Sequence, residues 1–415
     1  MNERTIAAVA WRNLWRNRRR TIITLSSIAF GTMLAVLFTG LGDRTYGDMI
    51  DLAAKMGGGH ITVQHKTYRD NPSAKKSVMN TAEKAARALR IPGVKSAVSR
   101  IAGFAMLATA RESIGAYVVG IDPEKETKET FFALEAIKEG ALFKPDDREA
   151  ILLGKKLADR LDVSIGSKVV YTLTDKNGEM VTALGRVSGV IRTGSDEFDG
   201  SFCLLPIDSL RRVLGYQKDE ATEIAIFIED KRQVDGVAAA IQNGLTGTDI
   251  AAPWYKVQPD LAGFISMKES GAAFFEMIIM VLIAAGIFNT LFVSVMERMR
   301  EFGIMTAIGF SPQQLFRMVM WESLWLALVG LVAGALVTAW PYHHLATVGF
   351  DFSSMVGKEG SEVAGVVVEP VMRVGIFWEH ALAIGLAAVI ATLVSGLYPA
   401  WRAGRVAPVE SIKLV

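Results

Sequence analysis

Four stretches of this chain are long and apolar enough to demand hydrocarbon around them. Residues 21–42, 272–296, 316–340 and 377–401 each reach the roughly 20 residues with which a helix crosses about 30 Å of bilayer core. The second and third are the clearest, because "MIIMVLIAAGIFNTLFVSVM" and "LWLALVGLVAGALVTAW" hold almost no charge. The first follows "RNRRR" and has the flank of a secretory signal, yet its apolar run is too long for one and no small-residue cleavage site follows. The rest of the chain dilutes this signal. Hydrophobic residues make up 51% and charged residues 21%, and the mean hydropathy of +0.29 leaves room for a sizeable water-soluble part.

Orientation follows from lysine and arginine near the span ends. Arg4, Arg12, Arg16, Arg18, Arg19 and Arg20 precede the first span, Arg298, Arg300 and Arg317 lie between the second and third, and Arg402, Arg405 and Lys413 follow the fourth. Residues 341–376 instead carry Asp351, Glu359, Glu362 and Glu369 against Lys358 and Arg373. Both termini and the 297–314 connection are therefore expected in the cytoplasm, and the insert 43–271 outside. On a helical wheel Ile6, Ala7, Ala10, Trp11, Leu14 and Trp15 sweep one half, while Arg12, Arg16, Arg19 and Arg20 fall mostly on the other. Trp11, Arg12, Trp15 and Arg16 thus suit a helix lying in the headgroup layer. A plain cytoplasmic extension of the span is the alternative.

The insert reads as mixed α/β. "HITVQHKTY" has strand character, "NTAEKAARALR" is helical until Pro92 and Gly93, and "KSAVSRIAGFAMLATA" and "IGAYVVGID" are strands. "AILLGKKLADRLDVSIGSKVVYTLT" is strand, short helix and strand, "GRVSGVI" and "SFCLLPI" continue as strands, and "EIAIFIEDKRQVDGVAAAIQNGL" is strand then helix. No breaker follows the first span until Gly57–Gly59, and Asp260 after Pro259 opens a helix running into the second. Two helices of roughly 35–40 residues, about 50–60 Å long, would then form a stalk.

Several chemistries are missing. No GxxxxGK[ST] occurs, so no P-loop is present. Cys203 is the single cysteine, and the five histidines show no metal spacing; His60 and His65, five apart in a strand, point to opposite faces. A net charge of +2 gives no argument for nucleic acid. Carboxylates within the spans, Glu276, Glu322 and Glu379, lie near their ends, where snorkelling or capping weighs as much as function. Asn289 is deeper and is expected to hydrogen-bond between helices. Gly330 and Gly334 form a GxxxG suited to close helix packing.

The connection "ERMREFGIMTAIGFSPQQ" is more specific than a tether needs. Ser311, Pro312 and Gln314 form a capping box with proline at the first helical position, and Gly309 is placed as the left-handed stop of a preceding short helix. That helix, 301–308, is expected to present Phe302, Met305 and Ile308 at helical spacing, with Ile304 beside Ile308. These apolar residues require the membrane surface or a groove on a partner, and the residues alone leave both open.

The stretch resembles the segment after the second span in permeases of the MacB/FtsX/LolC–LolE class of ABC transporters. The shared positions are Glu297, Arg298, Glu301, Phe302, Gly303, Ile304, Ala307, Ile308 and Gly309. "AWRNLWRNRRRTIITL", "LGKKLADRLDVSIGSKV" (with Ser167 where aspartate is common) and "YPAWRAGRVAPVESIK" are similar to further family segments. The resemblance implies that this segment, with Arg300 and Met305, is a coupling helix docking on an ATPase. It also implies a dimer, homo- or hetero-, with two copies of a separate ABC ATPase that holds ATP and Mg2+, and no cofactor bound by this chain. The large insert and "PWYKVQPDLAGFISMKES" look most like the lipoprotein-releasing permeases LolC and LolE. Lipoprotein release from a bacterial inner membrane by mechanotransmission is the implied function. MacB-like export of peptides, antibiotics or lipid-like molecules, or FtsX-like regulation of a cell-wall hydrolase, are the alternatives.

The expected fold is a membrane α-helical protein with four transmembrane helices and a large extracytoplasmic mixed α/β domain inserted between helices 1 and 2. Its parts are an amphipathic N-terminal helix (1–20), helix 1 with stalk (21–56), the α/β domain (57–259) and stalk with helix 2 (260–300). The coupling helix (301–309), helix 3 (312–340), an outer loop (341–376), helix 4 (377–401) and a cytoplasmic tail (402–415) complete it.

Overall fold

The computed structural model describes residues 3–356, 361–363, 366–368 and 370–405. The expected tail is thus described only to Arg405, and the family-like ending beyond it lies outside the described residues. The chain divides into two compact units, one made of Met1–Thr45, Ser266–Asp351 and Val371–Val415, the other of Tyr46–Ile265 and Phe352–Pro370.

The first unit is helical. Among the described residues four helices are long and apolar enough to cross a membrane: Arg18–Met56, Pro259–Glu297, Pro312–Thr347 and Trp378–Gly404. The first two have 39 residues each, about 58 Å at 1.5 Å per residue, and each contributes residues to both units. The third does not end at Trp340 as expected. It continues through Pro341 to Thr347, and Gly349 at φ +80° then turns the chain. A proline removes one donor and crowds one carbonyl, which a long helix absorbs by local adjustment. The fourth starts one residue later than expected, at Trp378, and runs to Gly404 through Pro399. Its first turn is capped from the first helix: the Phe377 amide donates to Asp43 Oδ2 at 3.0 Å, and His380 Nδ1 lies 2.8 Å from Asp43 Oδ1.

Small residues set how closely these helices approach, since no hydrophobic drive separates one apolar helix from lipid. A methyl group on Gly330 would come within 2.7 Å of the Ile28 side chain, and one on Gly334 within 2.2 Å of Thr32 Oγ1. The GxxxG therefore faces the first helix. Gly396 lies against Ser323 in the same way, and Ser395 Oγ donates to the Ala284 carbonyl at 2.9 Å, joining the fourth helix to the second. Among the described residues Asn289 has no hydrogen-bond partner on another of these helices. It faces outward, on a helix whose apolar window is only 17% buried.

The second unit is a mixed α/β domain around a ten-stranded sheet. Its longest strand, Val94–Ala108, is shared along its length. The start pairs antiparallel with Glu223–Ile228, and the remainder with Ser113–Ile121 and Lys168–Thr174. On one side Ile61–His65 and Asp249–Pro253 extend the sheet, and Thr81–Ala88 and Val234–Gln242 cover it over a core including Ile61, Ile224, Ile226 and Ile241. On the other, Ala150–Gly154, Met180–Ile191 and Phe202–Pro206 mix parallel and antiparallel pairs. There the helix Ile207–Leu214 turns Ile207, Leu210 and Leu214 into the core, and Gly215 at φ +70° ends it. The domain is wider than 57–259 because the ends of both long helices pack within it, Met49 and Ala53 against Leu261 and Ile265.

The exit of the first long helix is tied to the sheet by buried charge. Arg100 and Glu126 pair with side chains only 1% exposed, Nε to Oε1 at 2.7 Å. Arg100 also donates from Nη2 to the Thr130 carbonyl at 2.6 Å and from Nη1 to the carbonyl of Gly57, immediately past the helix. Gln258 donates to the Ala53 carbonyl at 3.1 Å, and Lys231 donates to Asp51 Oδ2 at 2.6 Å. Burial alone would raise the Asp51 carboxyl, but hydrogen bonds from His60 and Lys231 outweigh it and hold the group below its ordinary value. Glu223 goes the other way, because burial pushes it up more than Arg100 pulls it down.

Candidate functional site

The connection between the second and third spans folds as its residues require. A short helix runs Met299–Ala307, two residues earlier than 301–309, because Arg298 rather than Arg300 breaks the preceding helix. Gly309 at φ +100° stops it in a Schellman arrangement: its amide bonds to the Thr306 carbonyl at 3.1 Å and that of Phe310 to the Met305 carbonyl at 3.0 Å. Ser311 then opens the third span. The Gln314 amide donates to Ser311 Oγ at 3.3 Å, the Ser311 amide donates to Gln314 Oε1 at 2.9 Å, and Pro312 takes the first helical position.

The short helix has two apolar sides, not the single face expected. Phe302 is fully buried, and with Met305 it packs into a cluster that includes Ile6, Ala10, Leu315, Val319 and Ala400. Gly303 is buried as well. Ile304 and Ile308 remain 49% and 71% exposed, on a surface shared with Arg300, Ala307 and Gly309. Phe302 and Met305 therefore secure the helix from within, and the surface offered outward is Ile304–Ala307–Ile308.

The amino-terminal helix, Glu3–Leu14, is the other wall of this site. A turn at Trp15–Asn17 separates it from the first span, which starts at Arg18, so the unit expected over 1–20 is shorter. Ile6, Ala10 and Leu14 are buried. Glu3 accepts from Arg317 at 2.6 Å and from Trp321 Nε1 at 3.3 Å, and Trp325 Nε1 donates to the Ala7 carbonyl at 3.2 Å. Trp11 meets Trp325 edge-on, 5.1 Å between ring centroids, while Trp11, Arg12, Trp15 and Arg16 all keep exposed surface. Packing onto the third span rather than amphipathicity alone thus fixes this helix.

Charge binds the two walls together. Arg298, 8% exposed, donates from Nη1 to both oxygens of Glu322 at 2.9 Å, and Asn13 Nδ2 donates to Glu322 Oε1 at 2.9 Å. Arg298 Nε reaches Glu301 at 3.3 Å, and its guanidinium lies 5.1 Å from the Phe302 ring centroid. Arg16 also donates to Glu301, at 2.9 Å, and Arg20 pairs with Glu297. Sequence reasoning missed that Glu322 and Asn13 belong here. The only signal was an ionisable residue inside a span, which calls for a partner. Among the described residues no three His, Cys, Asp or Glu side chains gather as a metal site. What the arrangement presents outward is a small apolar surface on a helix packed against the third span and the amino-terminal helix.

A family model described as "MacB-like periplasmic core domain" matches residues 21–243, more than half of the chain, and one described as "FtsX-like permease C-terminal" matches 273–408. The chain is 24% identical over 343 residues to the lipoprotein-releasing system transmembrane protein LolC of Xylella fastidiosa (strain Temecula1), covering 79% of this chain and 80% of that one. It is 24% identical over 412 residues to the macrolide export ATP-binding/permease protein MacB of Nitrobacter winogradskyi, covering 95% of this chain and 58% of that one. The periplasmic region of MacB from Actinobacillus actinomycetemcomitans aligns with a TM-score of 0.33 and 14% identity over 49% of this chain and 92% of that one.

Proposed function

This chain belongs to the ABC transporter permeases of the MacB/FtsX/LolC–LolE class, and we propose on that premise that it is a non-catalytic subunit working by mechanotransmission. Two copies, or one copy and a paralogue, sit in the inner membrane with both termini in the cytoplasm and the α/β domain outside. A separate ATPase binds ATP and Mg2+. Its closure displaces the Met299–Ala307 helix, and the two 39-residue helices carry the motion to the outer domains, where cargo is handled.

The observation that carries this reading is the exposed pair Ile304 and Ile308 on a helix anchored from behind by buried Phe302 and the Arg298–Glu322 pair. Apolar residues held outward on a fixed support are what a partner groove needs, whereas a helix resting on lipid needs no buried ion pair behind it. The arginine excess at these span ends supports the cytoplasmic side. Outward-facing Asn289, a polar group that hydrocarbon penalises, supports a second permease copy against the second span.

Ile308→Asp places a charge in the middle of the proposed dock. It is expected to abolish co-purification with the partner ATPase while membrane insertion stays normal; an unchanged pull-down sinks the docking reading. Cargo rests on the relatives. Similarity to LolC favours a lipoprotein drawn from the outer leaflet, so depletion is expected to trap lipoproteins in the inner membrane. Normal sorting on depletion rejects that cargo and leaves the export reading that MacB's name supplies.

A further inference from the structure

A cavity of about 250 Å³ lies between the amino-terminal segment and the inner ends of the first three spans. Its lining is polar where hydrocarbon-facing helices would leave apolar walls. Arg16, Arg20 and Arg298 contribute guanidinium groups, and Thr24, Thr290 and Ser294 contribute hydroxyls. Thr24 donates to the Arg20 carbonyl and Thr290 to that of Gly286, so these hydroxyls turn lone pairs rather than protons to the space. The donors that remain are guanidinium nitrogens, the Ser294 hydroxyl and the Asn17 amide.

Arg298 Nη2 is distinctive among them. It is the buried side-chain nitrogen that lacks a hydrogen-bond partner among the described residues, although Nη1 and Nε of the same group are engaged. An orphaned buried donor costs about 1–3 kcal/mol and calls for an acceptor absent from the protein itself. The cavity has room for several waters or for one phosphodiester group.

Charge selects between them. Of the groups lining the cavity, three arginines face two carboxylates, Glu297 and Glu322. Glu322 accepts three hydrogen bonds, two from Arg298 and one from Asn13. The Arg16–Glu301 pair is half-exposed and Glu297 is exposed beside a partly buried Arg20; pairs open to solvent are worth only about 0–1 kcal/mol, so these arginines can exchange partners. Arg12, Arg18 and Arg19 add further positive charge, with no acidic residue between positions 4 and 42. The fork of a guanidinium matches phosphate oxygens, and basic pockets between membrane helices on the cytoplasmic side suit anionic headgroups. We propose that this cavity binds a phosphate group, supplied by the headgroup of an inner-leaflet phospholipid.

The full-length protein in neutral maltoside micelles is titrated with dioctanoyl phosphatidylglycerol, with dioctanoylglycerol lacking the phosphate, and with inorganic phosphate, following the thermal midpoint. Saturable stabilisation by the phosphatidylglycerol alone is expected, since a ligand that binds only the folded state raises its stability. Arg20→Gln is expected to raise the half-saturating concentration about tenfold, or 1.4 kcal/mol. Ser294→Leu, which fills the cavity but leaves every arginine, is expected to abolish the response. An equal effect from inorganic phosphate overturns the lipid source while keeping the phosphate chemistry. An equal effect from dioctanoylglycerol, no response to any probe, or variants that respond like the parent overturn the site and leave the cavity to water.

Discussion

Breaking the Arg298–Glu322 pair on one side should be far worse than removing both partners. Both side chains are about 90% buried, and Arg298 Nη1 reaches both Glu322 oxygens at 2.9 Å. Glu322→Leu leaves the buried guanidinium with only its 3.3 Å contact to Glu301 and takes the oxygen acceptor from the Asn13 amide; Arg298→Met leaves a buried carboxylate with no cation and only Asn13 donating to it. Each charge-assisted bond is worth about 1.5–3 kcal/mol, and an unpaired buried charge costs about 3–5 kcal/mol. The double variant keeps similar volume without either charge, so it should lie within about 1–2 kcal/mol of the parent. The coupling energy from the cycle is then at least about 2 kcal/mol. Equilibrium unfolding in mixed micelles, followed by tryptophan fluorescence, measures all four proteins. A coupling energy below about 0.5 kcal/mol refutes the idea that this pair anchors the short helix. The double variant is also informative in the assembled complex. It should stay folded yet stimulate transport per ATP poorly, because the apolar replacement holds the helix without fixing its direction.

Two further expectations concern the rest of the fold. Gly334→Ala forces a methyl group to within 2.2 Å of Thr32 Oγ1 and should cost at least about 1 kcal/mol in the same unfolding assay; Thr32→Ala should relieve it, and the control Gly385→Ala, with nothing within 4 Å, should be neutral. Glu223 is held above its ordinary value of 4.5, first by burial, so the folded state binds its proton more tightly than the unfolded chain does. Its burial therefore weakens the fold as pH rises through the interval between those two values. Glu223→Gln should raise the thermal midpoint at pH 7 and lose that advantage below the ordinary value, and an advantage independent of pH refutes the assignment.

Features set by neighbours in sequence were readable in advance. The spans follow from length and apolarity, and the Gly309 stop and the Ser311–Gln314 box follow from local donor and acceptor needs. The strands around Val118 and Ile226 announce themselves by apolar, β-branched-rich runs. What depended on distant partners was not readable. The spacing of Phe302, Met305 and Ile308 marks apolar sides of a helix but cannot say which meets the protein's own core, so the outward surface was misplaced by part of a turn. Glu322 is 24 residues from Arg298 and 309 from Asn13, and no local pattern joins them. Pro341 misled because a proline's preference to end helices yields to a long helix with other supports. Asp249–Pro253 carries no strand pattern of its own, because a short polar-led segment becomes a strand only beside Ile61–His65.

The Arg100 linkage bears on how little motion is lost where the first long helix enters the outer domain. A guanidinium 1% exposed holds the Gly57 carbonyl, the Thr130 carbonyl and Glu126 at once. Sliding or twisting the helix end by one residue would take the Gly57 carbonyl from Nη1 and leave that donor unpaired in a dry interior, while Glu126 and the Thr130 carbonyl stay engaged. Such a joint has no intermediate setting: it is engaged or it is broken. In machine terms, on the proposed mechanotransmission reading, a joint of this kind would leave little backlash for a displacement arriving at Met56 to be lost in.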